Sequence, residues 1–65
     1  MKATVNGQPR DLPDGCTIAA LLDALDTVRG VAVARNDRVV PRAQHESCAI
    51  ADGDRIEIIR AVAGG

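Results

Sequence analysis

Only one stretch of this chain carries the period of an α-helix, and everything on either side of it reads as short strands and turns. Ile18, Leu21, Leu22 and Leu25 fall at i, i+3, i+4 and i+7, a single apolar stripe with Asp23 and Asp26 lying off it. Thr17 stands where a hydroxyl can accept from the free amide hydrogens of a first turn, and Gly30 is placed to end the element. Upstream, Met1 to Val5 alternates apolar and polar, as a strand with one buried face should. Asn6-Gly7 tolerates the positive φ of a type I′ turn, and Gln8 to Leu12 is the return strand of a hairpin. Pro9 has no amide hydrogen, which assigns that return strand to a sheet edge. Pro13-Asp14-Gly15 then turns the chain into the helix. Downstream, Val31 to Ala34 suits an interior strand, Asn36-Asp37 marks a turn, and Arg38 to Val40 is a strand stopped by Pro41. Residues 42–51 show no period, and Ile50 is their one expected core contact. Asp52-Gly53-Asp54 turns the chain into a strand from Arg55 to Ile59 with Ile56 and Ile58 inward. The two aspartates are explained by the turn, since a calcium loop needs more oxygen ligands than this segment has.

A hairpin, a helix and then more strands is an α+β order in which one main helix covers one face of a mixed four- to five-stranded sheet. With a right-handed connection through the helix, the first strand and the strand that follows the helix can lie parallel. Sixty-five residues make one domain, and with no Phe, Tyr or Trp the core has to be aliphatic. So small a chain has no room for a deep catalytic cleft, which points to a carrier, an adaptor or a subunit rather than an enzyme. Eight basic against nine acidic residues give a net charge of −1 with no basic run, and without aromatics for stacking a nucleic-acid role has no support. No apolar run approaches the roughly 20 residues that span a bilayer, and residues 1–15 contain no signal-peptide core. Cys16 and Cys48 sit far apart and outside any CxxC pairing, the pattern of reduced thiols in a cytoplasmic protein. His45, Cys48 and Cys16 fall short of the four ligands of structural zinc, so no metal is expected. A Cys–His nucleophile would need a cleft that the polar segment holding both does not signal. Lys2 is the only lysine, which leaves almost no acceptor for polymer formation through internal lysines.

Chemistry concentrates in the end of the sequence. The pattern divides it into a domain, 1–60, and a tail, 61–65, that closes on Gly64-Gly65. Two residues without side chains can enter a narrow channel in a partner with no clash from a Cβ. A carboxylate there is inert toward nucleophiles until adenylation by ATP gives it a leaving group, after which sulfur or nitrogen can attack. A frayed terminus would read the same way from the dipeptide alone. The tail is expected to be mobile in the free protein, having no apolar partner in the sequence.

Val5-Asn6-Gly7, the helix around Leu21-Leu22, Val31 to Asn36, Val39-Val40-Pro41-Arg42 and the run from Asp52 to Gly65 together resemble the ThiS family, the sulfur carriers of thiamine biosynthesis. The resemblance covers nearly the whole chain in order and at similar length. It implies a ubiquitin-like β-grasp fold and a cytoplasmic carrier with no bound cofactor, ATP and the sulfur donor being used by a partner enzyme. It implies that Gly65 is adenylated by an E1-like adenylyltransferase of the ThiF type and converted to a thiocarboxylate. The sulfur then passes to a thiazole synthase of the ThiG type. Arg60, Ala61, Val62, Ala63 and Gly64 would thread into the partner as an extended arm. Ile59, outward by alternation, with Val39 or Val40, would form an apolar docking surface on the sheet face away from the helix; the other reading packs Ile59 under the irregular segment. Relatives often carry an aromatic shortly after Val-Pro-Arg, and the position near His45 is not aromatic here. The small subunit of molybdopterin synthase shares the fold and the thiocarboxylate, but Arg60 to Ala63 favours the thiamine reading over its proline-containing tail. Other sulfur destinations, such as cysteine synthesis or tRNA thiolation, and a non-covalent β-grasp binding module remain as alternatives.

Overall fold

A computed structural model describes residues 1–25 and 31–60 of the chain. Five strands and one α-helix form there: β1 (Lys2–Val5), β2 (Gln8–Asp11), α1 (Ile18–Ala24), β3 (Val31–Arg35), β4 (Arg38–Val40) and β5 (Arg55–Arg60), with a 3-10 turn at Arg42–Gln44. The strands make one sheet in the order β2-β1-β5-β3-β4. β1 and β5 run parallel, and the other neighbours are antiparallel. This is the helix-backed mixed sheet of the β-grasp fold. Pro9 lies on β2 at a sheet edge, opposite Thr4, where its missing amide hydrogen leaves no rung broken inside the sheet.

The parallel pair is not the one the sequence order suggested. The last strand, β5, inserts between β1 and β3, so β1 pairs in parallel with β5, while β3 runs antiparallel to both. The centre of a sheet is its most buried place, and β5 supplies Ile56, with no exposed surface, to fill it. Ile18 and Leu21 of α1 meet that strand from above, also fully excluded from solvent, with Val5, Val33, Val40 and Ile50 around them. Each fully buried side chain of this size is worth about 1.5–3 kcal/mol relative to exposure. The core is aliphatic apart from the buried Cys16.

The helix is shorter than its stripe. It ends at Ala24 with Leu25 as its C-cap residue, and the expected stop at Gly30 lies outside the described residues. Its start is secured by the segment that carries no period. The Thr17 hydroxyl accepts from the Ala20 amide at 3.1 Å, as expected of an N-cap. The Ile18 and Ala19 amides, which have no partner within the helix, donate to the carbonyls of Cys48 and His45 at 3.0 and 2.8 Å. Within residues 42–51 the Arg42 and Gln44 carbonyls close local turns, while those of His45 and Cys48 are aimed at the helix start.

Candidate functional site

The candidate site is built on β5, the strand that leads to the end of the chain. At its foot is Asp54, which is buried. Its carboxylate accepts from Arg35 Nε at 2.6 Å, from the Ala51 amide at 2.8 Å and from Asn36 Nδ2 at 3.0 Å. Burial alone pushes this carboxyl up. The Ala51 amide, the Asn36 side chain and the Arg35 guanidinium outweigh it and hold the group below the ordinary carboxylate range. The same contact raises Arg35. Asp52, two residues earlier, instead accepts from the Lys2 amide at 2.7 Å. Asp52-Gly53-Asp54 is therefore more than the turn read from the sequence: one carboxylate fastens β1, and the other fixes the start of β5 against the β3–β4 turn.

Two asparagines then hold the strand from either side. Asn36, at φ 50 in the β3–β4 turn, accepts from the Arg55 amide with Oδ1 at 2.9 Å. Asn6, at φ 51 in the β1–β2 turn, accepts from the Ile58 amide with Oδ1 at 2.8 Å. Both were legible as turn residues, because short polar side chains tolerate the left-handed region. Their grip on a strand some 19 and 52 residues further along was not.

The face of the sheet away from α1 carries the exposed apolar groups. Ile59 stands opposite Ala32, and Val39 stands opposite Ala34, so the four lie on one face. Ile59 is 55% exposed and Val39 is 73% exposed, the two large apolar side chains so placed among the described residues. Ile59 thus does not pack under residues 42–51. Val40 has to be removed from the docking surface: it pairs with Val33, points into the core and is buried. Period 2 leaves one of the two valines out and one in, and the register with β3 decides which. Glu57 and Arg55 flank the patch, Arg55 pairing with Asp37.

Arg60 ends β5 with its backbone paired to Val31, while Ala61, Val62, Ala63, Gly64 and Gly65, and with them the expected mobility of the tail, lie outside the described residues. His45 is buried, its Nε2 donating to the Val40 carbonyl at 3.0 Å. The residue lines an open hollow of about 280 Å³ between α1 and the 3-10 turn, together with Ala19, Leu22, Asp23, Arg42 and Glu46. Cys16 is buried and Cys48 half-buried, and both are free thiols. Among the described residues, no cluster of three His, Cys, Asp or Glu side chains is arranged to hold a metal. No helix among them is long and apolar enough to cross a membrane.

A family model described as the ThiS family matches residues 3–65. The sulfur carrier protein ThiS of Escherichia coli is 36% identical over 66 residues, which covers all of both chains. A thiazole synthase of Paramagnetospirillum magneticum is 39% identical over 66 residues, all of this chain but only 20% of that protein. The chain thus spans about a fifth of the length of that relative. Among solved structures, the crystal structure of the thiamine biosynthesis protein ThiS from Geobacter metallireducens superposes over the full length of both chains with a TM-score of 0.86 at 30% identity.

Proposed function

The chain belongs to the ThiS family, and on that premise we propose that it is a sulfur carrier for assembly of the thiazole ring in thiamine biosynthesis, with Gly65 as the residue that carries the sulfur. The observation that supports this most is the full-length match to a sulfur carrier of the same size. The reaction runs in two transfers. A carboxylate oxygen of Gly65 attacks the α-phosphorus of ATP, releasing pyrophosphate and leaving an acyl adenylate. Sulfide from the donor then attacks the carbonyl carbon, AMP departs with the bonding pair, and loss of a proton leaves a thiocarboxylate. The thiocarboxylate is a soft anionic nucleophile that a second enzyme can use.

Catalysis in this scheme belongs to the partners. An adenylyltransferase of the ThiF type supplies the ATP site, and a thiazole synthase of the ThiG type accepts the sulfur. That a thiazole synthase contains a segment similar to this whole chain supports the second pairing. Residues 60–64 serve as the arm that enters each partner, and the Ile59–Val39 face is the surface that docks. The carrier itself binds no cofactor and works in the cytoplasm.

Intact-mass spectrometry tests this. The chain is incubated with ATP, the adenylyltransferase and a sulfide source, and the gain from replacing one oxygen by sulfur is sought and localised by fragmentation. The expected gain lies on Gly65 and is absent from a chain lacking Gly65. No adenylate and no thiocarboxylate, with an enzyme active on another carrier, would refute the reading.

A further inference from the structure

We propose that Asn6 is a positioning residue for the arm: its side-chain carbonyl replaces a main-chain carbonyl of β1 as the last rung on that side of β5 before the chain leaves for Gly65. In a parallel pair, every second residue of one strand both donates to and accepts from the other. The Thr4 amide donates to the Asp54 carbonyl and the Asn6 amide to the Ile56 carbonyl, each at 2.9 Å. The next rung of a regular ladder would run from the Ile58 amide to the main-chain carbonyl of Asn6. That carbonyl has left the ladder, because Asn6 takes φ 51 and Gly7 φ 83 to open the hairpin turn. Asn6 Oδ1 receives the Ile58 amide instead, at 2.8 Å.

The turn does not require this contact. Glycine would adopt the same backbone conformation and supply no oxygen, and Asn6 is exposed, so the core makes no demand on its side chain either. The rung matters because of where it falls. Past Ile58, the described pairing of β5 comes from β3 alone, Ala32 opposite Ile59 and Val31 opposite Arg60. Seven residues separate Ile58 from Gly65, an extended reach of at most about 25 Å. A tilt of about ten degrees at the base of such an arm moves an extended tip by roughly 4 Å. Misplacing a reacting atom by about 1 Å can cost on the order of 100-fold in rate.

The functional consequence rests on the sulfur-carrier reading, and the test separates the two. Wild type, Asn6→Gly and Asn6→Asp are compared at a temperature where far-UV circular dichroism shows all three folded. The glycine variant keeps the turn without the acceptor, and the aspartate variant keeps both. Two readouts are taken: kcat and KM for adenylation by a ThiF-type enzyme with ATP, and hydrogen exchange of the Ile58 amide in the free protein. Asn6→Gly is expected to lower kcat roughly tenfold with KM within about twofold, since docking is retained while productive placement is lost. Its Ile58 amide is expected to exchange at least about tenfold faster, and Asn6→Asp restores both readouts. A folded Asn6→Gly protein with wild-type kcat, or equal losses in the two variants, overturns the proposal. If the wild-type chain is not adenylated by an active enzyme, the sulfur-carrier reading fails. The exchange data then judge the rung alone, and unchanged protection of Ile58 in Asn6→Gly overturns it.

Discussion

Removing the Asp54 carboxylate should cost this domain a large part of its stability. The group is buried and accepts three hydrogen bonds, from Arg35 Nε, the Ala51 amide and Asn36 Nδ2. Hydrogen bonds to a charged group contribute about 1.5–3 kcal/mol each, and the donors left behind lose their partner. The sum overstates the loss, because the Arg35 side chain is 34% exposed and water takes over part of its solvation. Asp54→Ala is therefore expected to cost about 3 kcal/mol. A domain of this size has a total of roughly 3–10 kcal/mol to lose. The melting temperature should fall by roughly 12–24 °C. Asp54→Asn keeps the volume and one carbonyl oxygen and should cost about 1.5 kcal/mol. Linkage fixes the sign of the pH dependence. The folded carboxyl lies below its ordinary value, so its stabilisation is complete above the unfolded value and disappears as pH falls through the folded one. The gap between wild type and Asp54→Asn should be constant above about pH 5 and narrow as pH falls below about 4. Urea titrations followed by far-UV circular dichroism from pH 7 to pH 3 measure it, the chain having no aromatic residue to report by fluorescence. A gap under about 0.5 kcal/mol at pH 7, or one that does not close on acidification, refutes the reasoning.

Two further substitutions separate the docking face from the scaffold. Ile59→Asp places a charge on the exposed face without disturbing the core, and is expected to weaken binding to the adenylyltransferase at least roughly tenfold by calorimetry. Its unfolding free energy should stay within about 0.5 kcal/mol of wild type, and unchanged affinity would remove this face from the interface. Thr17→Ala deletes the hydroxyl that caps the Ala20 amide and should lower stability by about 1 kcal/mol, with adenylation kinetics of the folded protein unchanged.

Local signals were legible wherever one residue type had one task. The stripe of Ile18 and Leu21 located α1, Asn6-Gly7 located the first hairpin, and Pro9 placed β2 at an edge. What the sequence hid was long-range. The central place of β5 depends on pairing with β1, some fifty residues away, and no local period encodes a partner. Asp52 and Asp54 occupy one motif, yet the first is exposed and the second is the centre of a buried network, a difference made by Arg35 arriving from β3. Val39 and Val40 are chemically identical, and only the register with Ala34 and Val33 separates outside from inside. Residues 42–51 look patternless because their carbonyls at His45 and Cys48 answer to α1, not to their own neighbours.

These placements converge on β5. Ile56 anchors it in the core, Asp54 fixes its foot, Asn36 and Asn6 hold it from opposite sides, and Ile59 turns outward next to its end. The proposed docking contact and the proposed reacting residue are thus on one strand-and-arm, six residues apart. Six extended residues reach at most about 22 Å. Any enzyme that docks on the Ile59 face and acts on Gly65 must therefore keep its reacting centre within that distance of its docking surface. Two enzymes that share the carrier in turn must meet the same bound, whatever their folds. A buried, multiply clamped central strand suits that task, because a common arm serves two active sites only if its base stands in the same place for both.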